Sequence, residues 1–436
     1  MKQTIRNPNW RLLSLVILAA GAAGLSITAC GGSAKTRDKP PSAANYQFEP
    51  EPRAVLNLAG IRSSRDPKLA VDASGTLFVL AVCGDEHPQL QLLMSHDGGD
   101  TFMQPVPISE KDKEVSSHGE NSPSLVIRPT EMYAMWEQPT MDGHTDLMFA
   151  RSLTFGHSFD KPVPVTDKAT PSFSGFSAMS AAPNGDVYAV WLDGRDPQPE
   201  TPGTFSIYLA HSVDRGATFS RNVRVATSVC PCCRPTLTYG PKGEVYVAWR
   251  KVFPGDIRDM VVSASNDGGA TFAGPTRVAV DNWRVSGCPH SGPAVASKGD
   301  RLYVAWYTEG ADGISGIKLS WSDDGAKTFS SPVVASGNLL DANHPAFSTG
   351  SDGRVLLVFQ ARDPAKKEGW SATQSQMVEV SDSGTVSDPL PLSGDQKAVS
   401  YPAVATGTVG RVYLAWTEPG QEGNNIILLR GRKHKS

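Results

Sequence analysis

The chain has 436 residues, and 41 lysines and arginines nearly balance 44 aspartates and glutamates, for a formal net charge of −3. With no long basic or acidic block, that balance argues against nucleic acid or an anionic membrane surface as the main partner. The 41 glycines and 33 prolines against 19% charged residues suit many short strands joined by turns, and poorly suit long exposed helices.

The chain opens on an export signal. Lys2, Arg6 and Arg11 form a positive segment and residues 12–28 an apolar one, after which Ile27-Thr28-Ala29-Cys30 resembles a bacterial lipobox. Residues 1–29 are therefore expected to be a cleaved signal peptide, with Cys30 lipidated as the first mature residue and the link to the membrane. Residues 30–52, with Gly31, Gly32, Pro40, Pro41, Pro50 and Pro52, are expected to form a flexible tether. The compartment is then outside the cytoplasm, in the bacterial cell envelope, where disulfides are permitted. No later window is long and apolar enough to span a bilayer.

Residues 53–436 read as a single repetitive domain. An apolar strand, typically Val-Tyr-Val-Ala-Trp, recurs at 77–80, 132–136, 187–191, 245–249, 302–306, 355–359 and 412–416. Such runs suit strands buried on both faces. A short strand precedes most of them and is usually opened by proline: Pro67, Pro123, Pro235, Pro293, Pro345, Pro402. Proline is tolerated at a strand's first residue, so it marks one recurring start. Trp136, Trp191, Trp249, Trp306 and Trp416 share one repeat position and read as core, whereas Trp283 and Trp370 fall in loops and are candidates for ligand contact.

A second signature follows the third strand of several units. Residues 95–102, 212–219 and 265–272 match Ser-x-Asp-x-Gly-x-Thr-Phe, 322–329 has Ala326 in place of the glycine, and 152–159 lacks the aspartate. In such a turn the aspartate caps backbone donors, glycine supplies a positive φ, and the aromatic pins the loop to the sheet. These are Asp boxes, and over about residues 53 to 430 the pattern resembles the sialidase-like (BNR repeat) propellers. The resemblance implies an all-β propeller of four-stranded blades. Seven apolar strand units favour seven blades, with residues 53–58 supplying the last outer strand; six, the sialidase number, is the alternative.

In a propeller, the starts of the first strands and the loops after the second strands share one face, where a site is to be sought. The starts carry Arg65-Asp66, His118, residues 172–177, Cys230, Cys232, Cys233, Arg234, Cys288, His290, His344 and Tyr401. The loops add Arg195, Arg250 and Arg258. Cys230-Pro-Cys232-Cys233 and Cys288-Pro289-His290 open adjacent units and should meet. Thiolates with an imidazole suit a soft metal, copper or zinc; disulfide bonding and a redox-active thiol pair are the alternatives. With Cys30 lipidated, five cysteines remain, Cys83 among them, so at least one thiol stays unpaired within the chain. His118 and His344 read either as channel-wall histidines or as ligand contacts. Arg65, Arg195, Arg234 and Arg250 on a concave rim would suit a carboxylate.

Sialidases use an arginine triad, a Tyr–Glu nucleophile pair and an Asp acid/base. Arg65-Asp66-Pro67 is similar to that family's Arg-x-Pro motif, and Tyr401 stands where its nucleophile is expected. In a glycosidase of this kind, Arg65, Arg234 and Arg250 would be the carboxylate clamps, with Asp85 a candidate acid/base. The resemblance also places the partner glutamate at the opening of a middle unit, where this chain has Cys232-Cys233-Arg234 instead. Three readings follow: a rim that binds a small ligand or soft metal, a glycoside hydrolase for an acidic sugar, and a scaffold for another envelope protein. A monomer is expected.

Overall fold

The computed structural model describes residues 45–54, 63–167, 172–285, 287–365, 373–394, 399–421 and 423–434. Residues 1–44, with Cys30, and Trp370 lie outside them. The recurring apolar runs do form strands, and each sits second in an antiparallel meander. The first sheet is Ser64–Val71, Leu77–Cys83, Gln89–Ser95 and Val106–Pro107; the second is Ser124–Ile127, Met132–Pro139, Thr145–Ser152 and Val163–Pro164. Ser174–Ala181, Val187–Asp193, Phe205–Ser212 and Val223–Val229 continue into Thr236–Tyr239, Val245–Phe253, Ile257–Ser265 and Thr276–Arg277 as one eight-stranded sheet. Two further four-stranded sheets follow: Ala294–Lys298, Arg301–Thr308, Gly316–Ser322 and Val333–Val334, then Leu340–Thr349, Val355–Arg362, Gln374–Val380 and Leu390–Pro391. The last sheet joins Ser400–Thr406, Arg411–Gly420 and Gly423–Lys433 to Tyr46–Phe48 and Arg53–Ala54 from the other end of the chain.

The arrangement is propeller-like and all-β, and the named helical element among the described residues is a 3-10 turn at Thr408–Gly410. No helix there is long and apolar enough to cross a membrane. The expected count of seven separate blades, or six, is corrected: five blade-sized sheets are discrete, and the remaining eight strands are continuous. The reason is local. Most outer strands are two residues long, which leaves little edge to pair. Val223–Val229 is seven residues long, and Val229 reaches Lys251 on the extended second strand of the next unit. Arg53–Ala54 does pair with the last strand, as expected, but pairing begins earlier, at Tyr46, inside the stretch assigned to the tether.

The first strands of successive meanders contact one another in a closed circuit, from Ser64–Val71 round to Ser400–Thr406 and back. They line a central channel. The core lies between neighbouring sheets, as where Phe78, Leu80 and Val82 pack on Met132, Ala134 and Trp136. Trp136, Trp191, Trp249, Trp306 and Trp416 are among the largest fully buried side chains. At about 25 cal/mol per Å², burying roughly 200 Å² of indole contributes on the order of 5 kcal/mol each. The indole N–H of Trp191 donates to Asp193 and that of Trp306 to Asp281, both at 2.7 Å, so those two polar atoms cost little, whereas the buried indole nitrogens of Trp136 and Trp249 have no partner among the described residues.

The Asp boxes form the turns after the third strands. In the first, Asp97 accepts from Thr101 N at 2.9 Å and Thr101 Oγ1 at 2.6 Å, and Ser95 Oγ accepts from Gly99 N. Asp214, Asp267 and Asp324 repeat the pattern. In the degraded box Thr154 Oγ1 takes the aspartate's place and accepts from Ser158 N at 3.0 Å.

Candidate functional site

The opposite ends of these strands do not repeat. Several first strands slip register just inside their start, between Arg65 and Lys68, Gly175 and Ala178, Asn343 and Ala346, and Ser400 and Ala403. At each slip one non-glycine residue takes a left-handed backbone: Asp66 (φ 56°), Phe176 (53°), His344 (53°) and Tyr401 (51°). That conformation costs about 1 kcal/mol or more per residue and collects at functional sites. Pro67, Pro345 and Pro402 follow three of the four, and a residue without an N–H suits a break in the ladder. The bulges re-aim their side chains at the mouth of the channel.

Two of them, His344 and Tyr401, line a cavity of about 320 Å³ whose polar lining also includes Lys68, Glu120, Ser122 and Arg234. His344 Nδ1 lies 2.8 Å from Glu120 Oε1, and Gly292 N donates to Glu120 Oε2 at 2.9 Å. The rings of His344 and Tyr401 pack with centroids 4.1 Å apart. Arg234 Nη2 donates to the Ser122 carbonyl at 2.5 Å and to its Oγ at 2.7 Å, while Nε is buried without a partner among the described residues.

Burial works against the charge of Glu120, but His344, Arg234 and the Gly292 N–H outweigh it and hold this carboxyl below its ordinary range. Burial, then the charges of Glu120 and Asp66, push the Tyr401 phenol up. Burial and the Arg234 charge bring Lys68 down to about 7, against the pull of Asp66 and Glu120. The cavity thus joins an anionic acceptor, a buried cation with a spare donor, an amine that titrates near neutrality and a phenol.

Of the residues expected at this face, Arg234, His344 and Tyr401 come together in the cavity. The others lie elsewhere or are already engaged. Arg65 donates to the Gly84 carbonyl at 3.2 Å, and Asp85 accepts from Ser63 Oγ at 2.7 Å near the loop at Gly423. His118 is exposed, its ring set edge-on to Phe176. Arg195 is held by Asp193, Asp167 and Asn222 over the Tyr208 ring. Arg250 is fully buried, and its guanidinium donates to the carbonyls of Arg258, Ser291 and Tyr307. Trp283 is 3% exposed, packed between Arg250 and Tyr307, so it offers no ligand platform. Glu120, by contrast, was not anticipated: the glutamate was sought in a middle unit, yet it follows Gly119 at the opening of the second.

The cysteines gather between the two halves that follow Val229. Cys230 N donates to the Arg250 carbonyl at 3.0 Å, fixing the loop to the strand that joins the eight-stranded sheet. Cys230 Sγ is 3.4 Å from Cys233 Sγ and 3.8 Å from Cys232 Sγ. A disulfide needs about 2.05 Å, and no pair is bonded among the described residues. The donor atoms of Cys230, Cys232 and Cys233 all lie within 4.8 Å of one another, and so do those of Cys232, Cys288 and His290. Arg258 Nη1 is 3.5 Å from Cys230 Sγ while Arg258 also bonds Asp256 and the Gly287 carbonyl.

Contacts with Cys232 and Cys233, then the Arg250 charge, hold the Cys230 thiol well below its ordinary value; burial pushes Cys233 up to about 12. Cys230, Cys232 and Cys233 are buried, whereas Cys288 and His290 are exposed beside an open pocket lined by Pro231, Val252, Pro254 and Gly287. Cys83 stands apart, in the core between the first and last sheets. The cluster and the channel cavity are contiguous along the chain, since Arg234 follows Cys233 and Gly292 lies two residues past His290.

No protein-family model matches the sequence, and no curated protein matches it. Among solved structures, a protein of unknown function from Dyadobacter fermentans is similar at 15% identity and a TM-score of 0.50, covering 74% of this chain and 98% of its own. A mutant Trypanosoma rangeli sialidase displaying trans-sialidase activity gives 14% and 0.49 over 84% of this chain, which spans 54% of that one. A Hadza microbial sialidase gives 14% and 0.48, with 82% and 74% covered. Likeness at this level concerns the fold alone, and no substrate is taken from it.

Proposed function

We propose that the cysteine–histidine cluster is a soft-metal site, for copper or zinc, on the rim of a sialidase-like propeller that a lipid at Cys30 anchors in a bacterial cell envelope. The observation that carries the reading is the convergence of five donors, Cys230, Cys232, Cys233, Cys288 and His290, from two chain segments that open adjacent units. Thiolate and imidazole donors select soft ions, and binding displaces the protons that the thiols otherwise share. The anchor rests on the order of charge, apolar run and cysteine in residues 1–30. The test is metal content and free-thiol count of the full-length protein, extracted in detergent from membranes without chelators. Copper or zinc is expected, and its loss in a Cys232→Ser/Cys233→Ser variant. A metal-free protein with one free thiol would make the cysteines disulfide partners and end the reading. Recovery of a Cys30→Ala variant in the membrane fraction would end the anchor.

A second reading has its own observation. Tyr401, Glu120 and Arg234 line one cavity, which suits a carboxylate-bearing sugar beside a tyrosine nucleophile and its base. Under it, the protein hydrolyses a fluorogenic sialoside and Tyr401→Phe abolishes turnover. No turnover above a protein-free blank by the wild type would remove this reading while leaving the metal site untouched.

A further inference from the structure

The donors of the cluster do not form one set. They close within 4.8 Å as two triples, Cys230/Cys232/Cys233 and Cys232/Cys288/His290, and only Cys232 belongs to both. Around a single tetrahedral ion with metal–sulfur bonds of about 2.3 Å, any two donors lie within roughly 4 Å of each other. Five donors strung over two triples exceed what one ion gathers. We infer that the cluster holds two ions, one in each triple, with the Cys232 sulfur bridging them; this rests on the metal reading above.

The surroundings of the first triple point to monovalent copper. The first triple consists of three thiols, with Cys230 and Cys233 fully buried and Cys232 4% exposed, and no fourth cysteine, histidine or carboxylate joins that group within 4.8 Å among the described residues. Structural zinc takes four ligands almost without exception, whereas copper(I) is soft and accepts three thiolates. Charge agrees. Four thiolates and two copper(I) ions leave two negative charges; the Arg258 guanidinium lies 3.5 Å from Cys230 Sγ, and the guanidinium of Arg250 is bound to the carbonyl of Ser291, next to His290.

The two positions are unequal. The three-sulfur position is sealed, while Cys288 lines an open pocket of about 470 Å³ and His290 is exposed, so the second ion is the one that exchanges with solvent or a partner. A softer, buried ion and an exposed one held partly by imidazole make a store and an exchange point that share a sulfur.

The test titrates full-length protein in detergent, reduced and free of oxygen, with copper(I) supplied as its bicinchoninate complex, and counts copper per chain. The inference expects two per chain in the wild type and one in Cys288→Ser/His290→Ala, whose altered residues are exposed and whose fold is checked by its melting curve. X-ray absorption of the wild type should add a copper–copper scattering shell that the variant lacks. One ion per chain in the wild type overturns the shared-sulfur pair and leaves the metal reading standing. None overturns both. Two ions in the wild type that both persist in the variant also overturn the inference, since the second position would then lie elsewhere.

Discussion

The two ends of the same strands obey different rules. At the Asp-box end, Asp97, Asp214, Asp267 and Asp324 make one set of hydrogen bonds four times over, each to a threonine four residues on. At the channel mouth no two openings carry the same residues: Asp66, Glu120, Phe176, Cys233, His290, His344 and Tyr401 stand at successive units. The box end keeps its donors satisfied locally, so every copy serves the same structural purpose. The mouth end accepts left-handed backbone at Asp66, Phe176, His344 and Tyr401, and it buries Glu137, Arg250 and three thiols. Stability concentrates where the chain repeats, and chemistry where it does not.

The sharpest way to separate the two ends is pH, because the buried carboxyl at the mouth is unlike any in the boxes. Glu137 is 3% exposed and accepts from Phe176 N at 2.6 Å and from the Asn121 amide. Burial nevertheless pushes its carboxyl up to about 8, against the Phe176 N–H and the Arg234 charge. The folded protein therefore keeps a proton that the unfolded chain releases near its ordinary value of 4.5. Between those two values the unfolded state binds fewer protons, so stability falls as pH rises, and the fall ends above about 8. Lys68, brought down to about 7, has the opposite slope above that pH, so the window below it belongs to Glu137. Glu137→Gln keeps the acceptor for Phe176, and Asn121 can turn its amide to receive the new N–H. From pH 5 to 7 the variant should gain roughly 2–3 kcal/mol on the wild type in urea unfolding, at about 1.4 kcal/mol per pH unit. Parallel curves would show that the mouth does not store this carboxyl in its neutral form.

How far each end could be read in advance follows from the same contrast. The buried tryptophan strands and the boxes were legible because each is repeated, and a repeat reports its own structure. The meeting of Cys232 with Cys288 was legible because both open adjacent units. Glu120 was not, since its partners Gly292 and His344 lie 172 and 224 residues away and meet it only across the closed circuit of first strands. Arg250 read as a carboxylate clamp because nothing in its neighbours announces that three backbone carbonyls will take its donors. Trp283 sits in a loop, which suggested exposure, but that loop folds back so that Arg258 N donates to its carbonyl at 2.8 Å. The eight-stranded sheet hangs on one pair, Val229 with Lys251, and strand length is set by tertiary contact rather than by pattern.

The box end has an internal test, since one of its four aspartate-bearing turns breaks the rule. The residue four past the serine is glycine in three boxes, Gly99, Gly216 and Gly269, and Ala326 in the fourth, all with positive φ. At Gly216 a Cβ would stand 2.4 Å from Phe149 Cε1 and Cζ, and Phe149 is fully buried with Phe219 edge-on against it. Gly216→Ala should therefore cost about 2 kcal/mol, from the left-handed backbone and from a ring with no room to move. At Ala326 the methyl is buried among Tyr246, Met260 and Leu302, so Ala326→Gly relieves about 1 kcal/mol of backbone strain and forfeits about 0.8 kcal/mol of burial. The net change should stay within about 0.5 kcal/mol, and metal content should not change in either variant. Unfolding in urea reads both. If Gly216→Ala were as silent as Ala326→Gly, the glycine would not be there for the neighbouring sheet's ring, and the boxes would be isolated turns rather than the joints by which each meander is held to the one before it.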